Sequence, residues 1–154
     1  MATVAFALTT ASCSKPEPPR VTPRTAQIAS IGPTGLTVAL SLDVYNPNRF
    51  PLIARSVDGT LEVGSGTPLA RGHADPQGSI PAQGSALVPA AITMNWADLK
   101  VLGPLVLSGA PVPYRFKGHA SLGGESFNVS VPFEVIGELT QAQLLQAGLR
   151  GLGR

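Results

Sequence analysis

Hydrophobic and polar positions alternate over long stretches of this chain, and the longest alternation covers residues 36–45. A period of two is typical of a strand with one buried face, because successive side chains point to opposite sides of a sheet. The expected buried set is Leu36, Val38, Leu40, Leu42 and Val44. An Asn-Pro-Asn corner follows, where Pro47 lacks an N–H and favours an extended or turn conformation before it. The strand is therefore predicted to end there.

The same pattern predicts six further strands. They cover residues 25–31, 52–63, 69–74, 86–96, 112–122 and 127–135. Turns rich in Gly, Pro and Asn separate them, and Gly123-Gly124 is a hairpin signal between the last two. This order predicts an all-β fold, an antiparallel sandwich of about seven strands of the immunoglobulin or fibronectin type III kind.

Three positions disturb the alternation within these strands. Arg55 falls on an apolar face by counting, so we expect either a register shift at a bulge or a position near the sheet edge. Asp58-Gly59 indicates a bulge or a hairpin turn. Pro89 favours an edge position, because proline cannot donate to a ladder of hydrogen bonds.

Two short helices are also predicted. Asn95 as N-cap, with Asp98 in the first turn, favours a helix near residues 96–102. Thr140 and Gln143 form a candidate capping box for a C-terminal helix. Glycines after that point weaken the helix, so a disordered tail over residues 138–154 is the alternative.

The composition suits strands and turns and excludes several functions. Charged residues make up 13% of the 154, with 17 Gly and 15 Pro. The 11 Lys and Arg exceed the 9 Asp and Glu only slightly and are scattered, so no nucleic-acid-binding stripe is expected. No phosphate loop or nucleophile elbow occurs. We therefore expect no enzyme activity, no cofactor and no small-molecule substrate.

The two histidines are the candidates for a metal site. His73 and Asp75 would offer two ligands, and His119 a third if the fold brought it near. No spacing typical of metal ligands supports such a site, and His119 lies on the predicted solvent face. Surface positions and no metal are therefore expected.

The N-terminal residues indicate export and anchoring. Residues 1–12 are small or apolar and uncharged, and Thr-Ala-Ser precedes Cys13, the single cysteine. This order resembles the end of a truncated bacterial lipoprotein signal peptide, with a membrane anchor on Cys13, although Thr10 replaces the usual leucine and the positive n-region is missing. A frayed N-terminus with a free thiol is the alternative. Four prolines in residues 14–24 predict an extended tether.

Two short motifs at a characteristic spacing carry a family resemblance. Asn46-Pro47-Asn48 follows the long strand, and Ile80-Pro81-Ala82-Gln83-Gly84 precedes another alternating strand. Over about residues 30–135 the chain resembles the water-stress and hypersensitive-response (WHy) domain, the type 2 late embryogenesis abundant (LEA) fold. The resemblance implies a β-sandwich, a link to desiccation and water stress, and frequent lipidation in bacterial members.

The motif residues are expected to maintain the fold rather than to contact a ligand. They are Asn46, Pro47, Asn48, Ile80, Pro81 and Gly84. Asparagine side chains satisfy nearby backbone groups, and proline prevents a strand from extending into an exposed edge. Both effects are properties of turns.

We therefore expect a lipidated segment at 1–13, a tether at 14–24, a type 2 LEA domain at 25–137 and a helix or tail at 138–154. The expected function is non-enzymatic stress protection at the bacterial cell envelope. The protein would lie on the periplasmic or extracellular side, on the outer membrane where the organism has one. The alternative is a binding or assembly module of an envelope complex that uses a sheet edge or the C-terminal helix. Partners would be the membrane and protein clients.

Overall fold

One antiparallel sheet accounts for the fold in the computed structural model, which describes residues 15–97, 100, 104 and 107–143. Its strands are β1 (Arg20–Ile31), β2 (Gly35–Asn46), β3 (Leu52–Val63), β4 (Thr67–Ala74), β5 (Gly78–Ile80), β6 (Gly84–Trp96), β7 (Val112–Gly123) and β8 (Asn128–Leu139). The strand order is β1-β2-β6-β4-β3-β7-β8, and β5 pairs with β3. The outer strands β1 and β8 contact each other, so the sheet is nearly closed.

A single hydrophobic core fills the inner face of this sheet. The alternation predicted for β2 is confirmed, since its five apolar residues are each at most 3% exposed. The largest fully buried side chains come from five other strands as well, among them Phe116, Leu52, Leu61, Leu69, Ile80 and Ile92. Burial of each such side chain contributes about 1.5–3 kcal/mol, so the inner face supplies most of the stabilisation.

A bulge in β3 explains the position of Arg55. Between Ala54 and Ser56 the register of β3 against β7 shifts, and Arg55 is left unpaired there. Its Nη2 atom instead donates a hydrogen bond to the carbonyl oxygen of Gly124 at 3.0 Å. The extra residue moves Ile53 to the outer face, where it is 43% exposed, although unbroken alternation would bury it. The register-shift alternative is therefore the one observed.

Asp58-Gly59 forms neither a bulge nor a turn, and that prediction is wrong. β3 pairs on both sides through these residues. A Cβ atom on Gly59 would lie 2.1 Å from Cζ of Phe116, and one on Gly118 would lie 2.3 Å from Cζ of Phe133. The two rings lie 5.9 Å apart with an interplanar angle of 34°. These glycines therefore make room for aromatic rings.

Pro89 lies in a half of β6 that has an open edge. β6 pairs with β2 over its whole length, but with β4 only from Thr93 to Trp96. In the described part of the chain no strand pairs with the other side of β6 around Pro89. The edge position is confirmed for this half, where a missing N–H is tolerated.

The predicted helices are only partly covered by the described residues. Asn95 and Trp96 belong to β6, so Asn95 is not the N-cap expected for a helix near 96–102, and most of that segment lies outside the described residues. The C-terminal capping box is present. Thr140 N donates to Oε1 of Gln143 at 2.9 Å, and Gln143 N donates to Oγ1 of Thr140 at 3.3 Å. Residues 144–154 lie outside the described residues.

The first strand begins inside the segment predicted as a tether. β1 starts at Arg20 rather than at residue 25, and Pro19 before it is buried. Pro23 is compatible with β1 because this strand pairs on one side only, with β2. At the other end, β8 continues to Leu139, past the predicted boundary at residue 137.

Candidate functional site

The two sequence motifs meet at one corner of the sheet. Asn46 ends β2, pairs with Gly84 of β6 and is 0% exposed. Its Nδ2 atom donates hydrogen bonds to the carbonyl oxygens of Phe50, at 2.7 Å, and Pro81, at 3.2 Å. One buried amide thus connects the β2–β3 turn to the β5–β6 turn. We refer to residues 46–48 and 80–84 as the Asn-Pro-Asn corner.

Asn48 attaches the N-terminal segment to this corner. Its Oδ1 accepts a hydrogen bond from Glu17 N at 2.8 Å, and its Nδ2 donates to Glu17 O at 2.8 Å. The side-chain amide therefore pairs with the main chain of Glu17 as a neighbouring strand would. Asn48 N and Nδ2 also donate to Oδ1 of Asn46, at 3.0 and 3.1 Å. Gln83 N donates to the carbonyl oxygen of Asn48 at 2.9 Å.

The remaining motif residues lie in the same place. Pro47 is half-buried between the two asparagines, and Ile80 is 0% exposed in the core. A Cβ atom on Gly84 would lie 2.9 Å from Cγ of Pro81, so glycine allows the tight turn. The structure thus brings all six predicted motif residues together, whereas Cys13 lies outside the described residues.

Sequence reasoning missed the contact between Asn48 and Glu17. The only signal in the sequence is the density of prolines around Glu17, which by itself predicts an extended tether. A proline-rich segment without internal hydrogen bonds can equally lie against a fold that offers donors and acceptors. Here Asn48 offers one of each.

Several loops surround the corner at the same end of the sheet, which we call the corner end. It comprises residues 15–20, 45–52, 80–84 and 123–128. Phe50 and Phe127 contact edge to face there, with ring centroids 6.0 Å apart and an interplanar angle of 70°. Tyr45, which pairs with Arg20 of β1, is 40% exposed. Arg20 and Arg49 are exposed at the same end.

The outer face of β4, β3 and β7 carries a row of ionisable residues. Asp58 of β3 pairs in register with His73 of β4 and with His119 of β7. His73 Nδ1 lies 2.7 Å from Oδ1 of Asp58, and Nε2 lies 3.0 Å from Oδ1 of Asp75. The hydrogen bonds to Asp58 and then to Asp75 raise the pKa of His73 above 6.5. Both ring nitrogens can donate only when the imidazole is protonated.

This row is a solvated feature of the protein surface. His73 and His119 are both exposed, as the sequence predicts. Each ring nitrogen of His73 faces a carboxylate, so neither is placed to take a proton from a nucleophile. Within the part of the chain that the structure describes, no group of three His, Cys, Asp or Glu side chains could hold a metal ion.

Ion pairs cover the neighbouring part of the same face. Lys117 Nζ donates to Oε1 of Glu62 at 3.1 Å and lies 3.0 Å from Oε2. Arg115 Nε lies 3.4 Å from Oε1 of Glu134. The Arg115–Glu134 pair is exposed, and such pairs contribute about 0–1 kcal/mol. Glu62 is only 13% exposed, so its pair with Lys117 is partly buried.

No helix among the described residues is long and apolar enough to cross a membrane.

These features define a small antiparallel β domain whose buried polar side chains fix turns and the segment that precedes β1. Residues 41–137, more than half of the chain, match the family model described as "Late embryogenesis abundant protein". The chain therefore belongs to the type 2 late embryogenesis abundant family. No protein in the set of curated proteins matches it.

Solved structures with the same fold come from plants and archaea. A protein from Arabidopsis thaliana superposes with a TM-score of 0.64 at 13% identity, over 90% of this chain and 91% of its own. A protein described as a candidate LEA protein gives 0.57 at 16% identity, over 82% and 74%. A protein from Archaeoglobus fulgidus gives 0.57 at 12% identity, over 82% and 98%. At these identities the likeness shows the fold alone.

Proposed function

We propose that this chain is a non-enzymatic stress-protection domain, held at the bacterial cell envelope by a lipid on Cys13. The observation that carries the proposal is the family match over residues 41–137, because it associates the domain with LEA proteins. We propose further that the domain is of the WHy subtype and that it protects against desiccation and water stress.

The anchoring part of the proposal is supported by the order of residues at the N-terminus. Thr-Ala-Ser stands directly before Cys13, the single cysteine. Four residues later, Glu17 is already hydrogen-bonded to the corner. A lipid on Cys13 would therefore place the domain at a periplasmic or extracellular membrane surface, on the outer membrane where one exists.

We also propose that the nearly closed sheet folds into two packed layers, as in fibronectin type III sandwiches. β1, β2 and β6 would form one layer and β3, β7 and β8 the other. Leu42 and Phe116, from the two groups of strands, are both almost completely buried in one core. Two inner faces that share a core are the arrangement expected of a sandwich.

The outer surface is suited to contact without catalysis. The outer face of β2 and β6 presents small, uncharged side chains such as Ala39, Ser41 and Ala91. Ion pairs lie on β1 and β2, between Arg24 and Asp43, and on β3 and β7. Such a surface can make weak contacts with drying membranes or client proteins through hydration. No buried charged group is needed for that role.

Survival after drying tests the proposal in the native organism. Cells lacking the protein are expected to lose viability after drying or osmotic shock, with rescue by the wild-type chain. A Cys13→Ala variant should rescue poorly, whereas Ser14→Ala, the matched control, should rescue fully. Equal survival with and without the protein would overturn the protective role. Mass spectrometry showing an unmodified Cys13, still preceded by residues 1–12, would overturn the anchor.

A binding or assembly module is the second candidate, and the open edge of β6 favours it. Residues 84–92 pair with β2 only, and Leu87 in this segment is 64% exposed. An exposed strand edge can accept a strand from a partner. Recovery of one stoichiometric partner from solubilised envelopes, lost with Leu87→Asp, would support this function. The absence of any such partner with the wild-type chain would contradict it.

A further inference from the structure

We propose that the corner end lies directly against the lipid headgroups, so that the domain stands end-on at the membrane. The inference rests on the anchoring proposed for Cys13. It goes further because it fixes the orientation of the domain and the surface that faces lipid. The Asn48–Glu17 pair, rather than the lipid itself, would set that orientation.

The first step is the short reach of the chain between the anchor and the fold. Glu17 is held through both its main-chain N–H and its carbonyl oxygen by Asn48, and Pro19 is buried. Three residues lie between Cys13 and Glu17, and the four steps from one to the other span only about 13–14 Å at full extension. A tether that stayed free up to residue 25 would span about 40–43 Å. The observed contacts therefore remove most of the freedom that a tether would give.

The second step is the chemistry of the surface that this short reach brings to the membrane. Lys15, Arg20 and Arg49 are exposed at the corner end, and anionic headgroups attract such side chains. Tyr45 and the half-buried Phe50 supply aromatic rings, which favour the membrane–water interface. Glu17 and Glu125 reduce the positive charge of this end without cancelling it.

The third step is a natural reporter at the opposite end. Trp96 is the single tryptophan of the chain and ends β6, which begins at Gly84 in the corner. Its Nε1 atom donates to the carbonyl oxygen of Gly32 at 3.0 Å, in the β1–β2 turn. A strand of this length spans roughly 40 Å at about 3.3 Å per residue. In the end-on orientation Trp96 therefore points away from the bilayer.

Energy transfer from tryptophan to a dansyl-labelled lipid measures this orientation. The full chain would be coupled through Cys13 to a maleimide lipid in vesicles of phosphatidylcholine and phosphatidylglycerol. We expect weak transfer from Trp96. A Tyr45→Trp/Trp96→Phe double variant moves the reporter to the corner end, and we expect strong transfer from it. Circular dichroism would establish that each variant is folded.

Two variants test whether the Asn48–Glu17 pair sets the orientation. Asn48→Ala releases the N-terminal segment, and insertion of eight Gly and Ser residues after Ser14 lengthens the chain without touching the corner. Both should raise transfer from Trp96 at least twofold, because the domain then samples other orientations. The insertion keeps the test valid if Asn48→Ala fails to fold.

The contrary result is clear in the same assay. The end-on orientation would be overturned if Trp96 in the wild-type chain transferred energy as strongly as the tryptophan at position 45. It would also be overturned if the insertion left the transfer from Trp96 unchanged. Because the coupling is chemical, this result is independent of lipidation in cells. An unmodified native Cys13 would instead overturn the anchor, and the two failures are thereby distinguished.

Discussion

Replacement of Asn46 by alanine is expected to destabilise the domain strongly, although it removes no apolar surface. Asn46 is 0% exposed and makes four hydrogen bonds. Alanine leaves the carbonyl oxygens of Phe50 and Pro81 and the N–H of Asn48 without their present partner. Each is a main-chain group at a turn that has no strand neighbour.

The magnitude follows from these three groups. A buried hydrogen bond contributes about 1 kcal/mol net, and a buried group left without a partner costs about 1–3 kcal/mol. Because the turns are partly open to water, we use the lower figure and expect a loss of about 3 kcal/mol. For a domain of this size, that corresponds to a fall in Tm of roughly 9–15 °C.

Urea unfolding followed by circular dichroism measures this loss. Asn95→Ala is the matched control, because Asn95 is an exposed asparagine in β6, and it should change stability by less than about 0.5 kcal/mol. Asn46→Asp keeps the acceptor but places a buried carboxylate oxygen against the carbonyl oxygens of Phe50 and Pro81, so at neutral pH it should lose at least as much stability as Asn46→Ala. A loss for Asn46→Ala no larger than for Asn95→Ala would refute the role assigned to the corner.

Two further predictions concern the sheet. Gly59→Ala should lower stability by about 1–3 kcal/mol, because the added Cβ would lie 2.1 Å from the Phe116 ring. Phe116→Leu in the same chain should restore part of the loss. Thermal unfolding measures the stability of both variants. His73→Ala should destabilise the domain at pH 5.5 but not at pH 9. Hydrogen bonds to Asp58 and Asp75 raise the folded-state pKa of His73, so its contribution is present below about 6.5 and is lost as the pH rises through the higher folded pKa.

Controls for these predictions come from the same sheet. Gly32→Ala should be tolerated, because the nearest atom to an added Cβ lies 3.8 Å away, and a loss as large as that of Gly59→Ala would refute the steric explanation. For the second prediction, NMR titration measures the pKa of His73, and a His119→Gln variant serves as the control. A His73 pKa at or below its usual 6.5 would contradict the geometry of the carboxylate pair.

The strands that alternate cleanly could be predicted from the sequence because burial alone determines their pattern. The bounds of β3 agree with the prediction, and the five apolar residues of β2 are buried as expected. The bulge at Arg55 was one of two alternatives, since counting detects a break in the pattern but not its cause. The prediction of a bulge or turn at Asp58-Gly59 is wrong because Gly59 makes room for the Phe116 ring of the neighbouring strand β7. Local turn statistics do not include such a neighbour.

The candidate site was predictable in its residues but not in its contacts. Asn46 and Asn48 stand out as turn formers, yet the partner of Asn48 is a main-chain segment 31 residues earlier. A side-chain amide can bind the main-chain N–H and C=O of any residue other than proline, which lacks the N–H. No sequence pattern at Glu17 therefore predicts the contact. The row of Asp58 between His73 and His119 likewise depends on register across three strands.

The strand order also sets the order in which the domain can fold. β2 pairs with β6, so one edge of β2 has no strand neighbour until β6, which ends at Trp96, has been synthesised. β4 can pair with β3 before β6 is synthesised but with β6 only afterwards, and β8 contacts β1 last. Contacts between residues far apart in sequence slow folding. The nascent chain therefore cannot close its sheet until β8, its last described strand, has been synthesised.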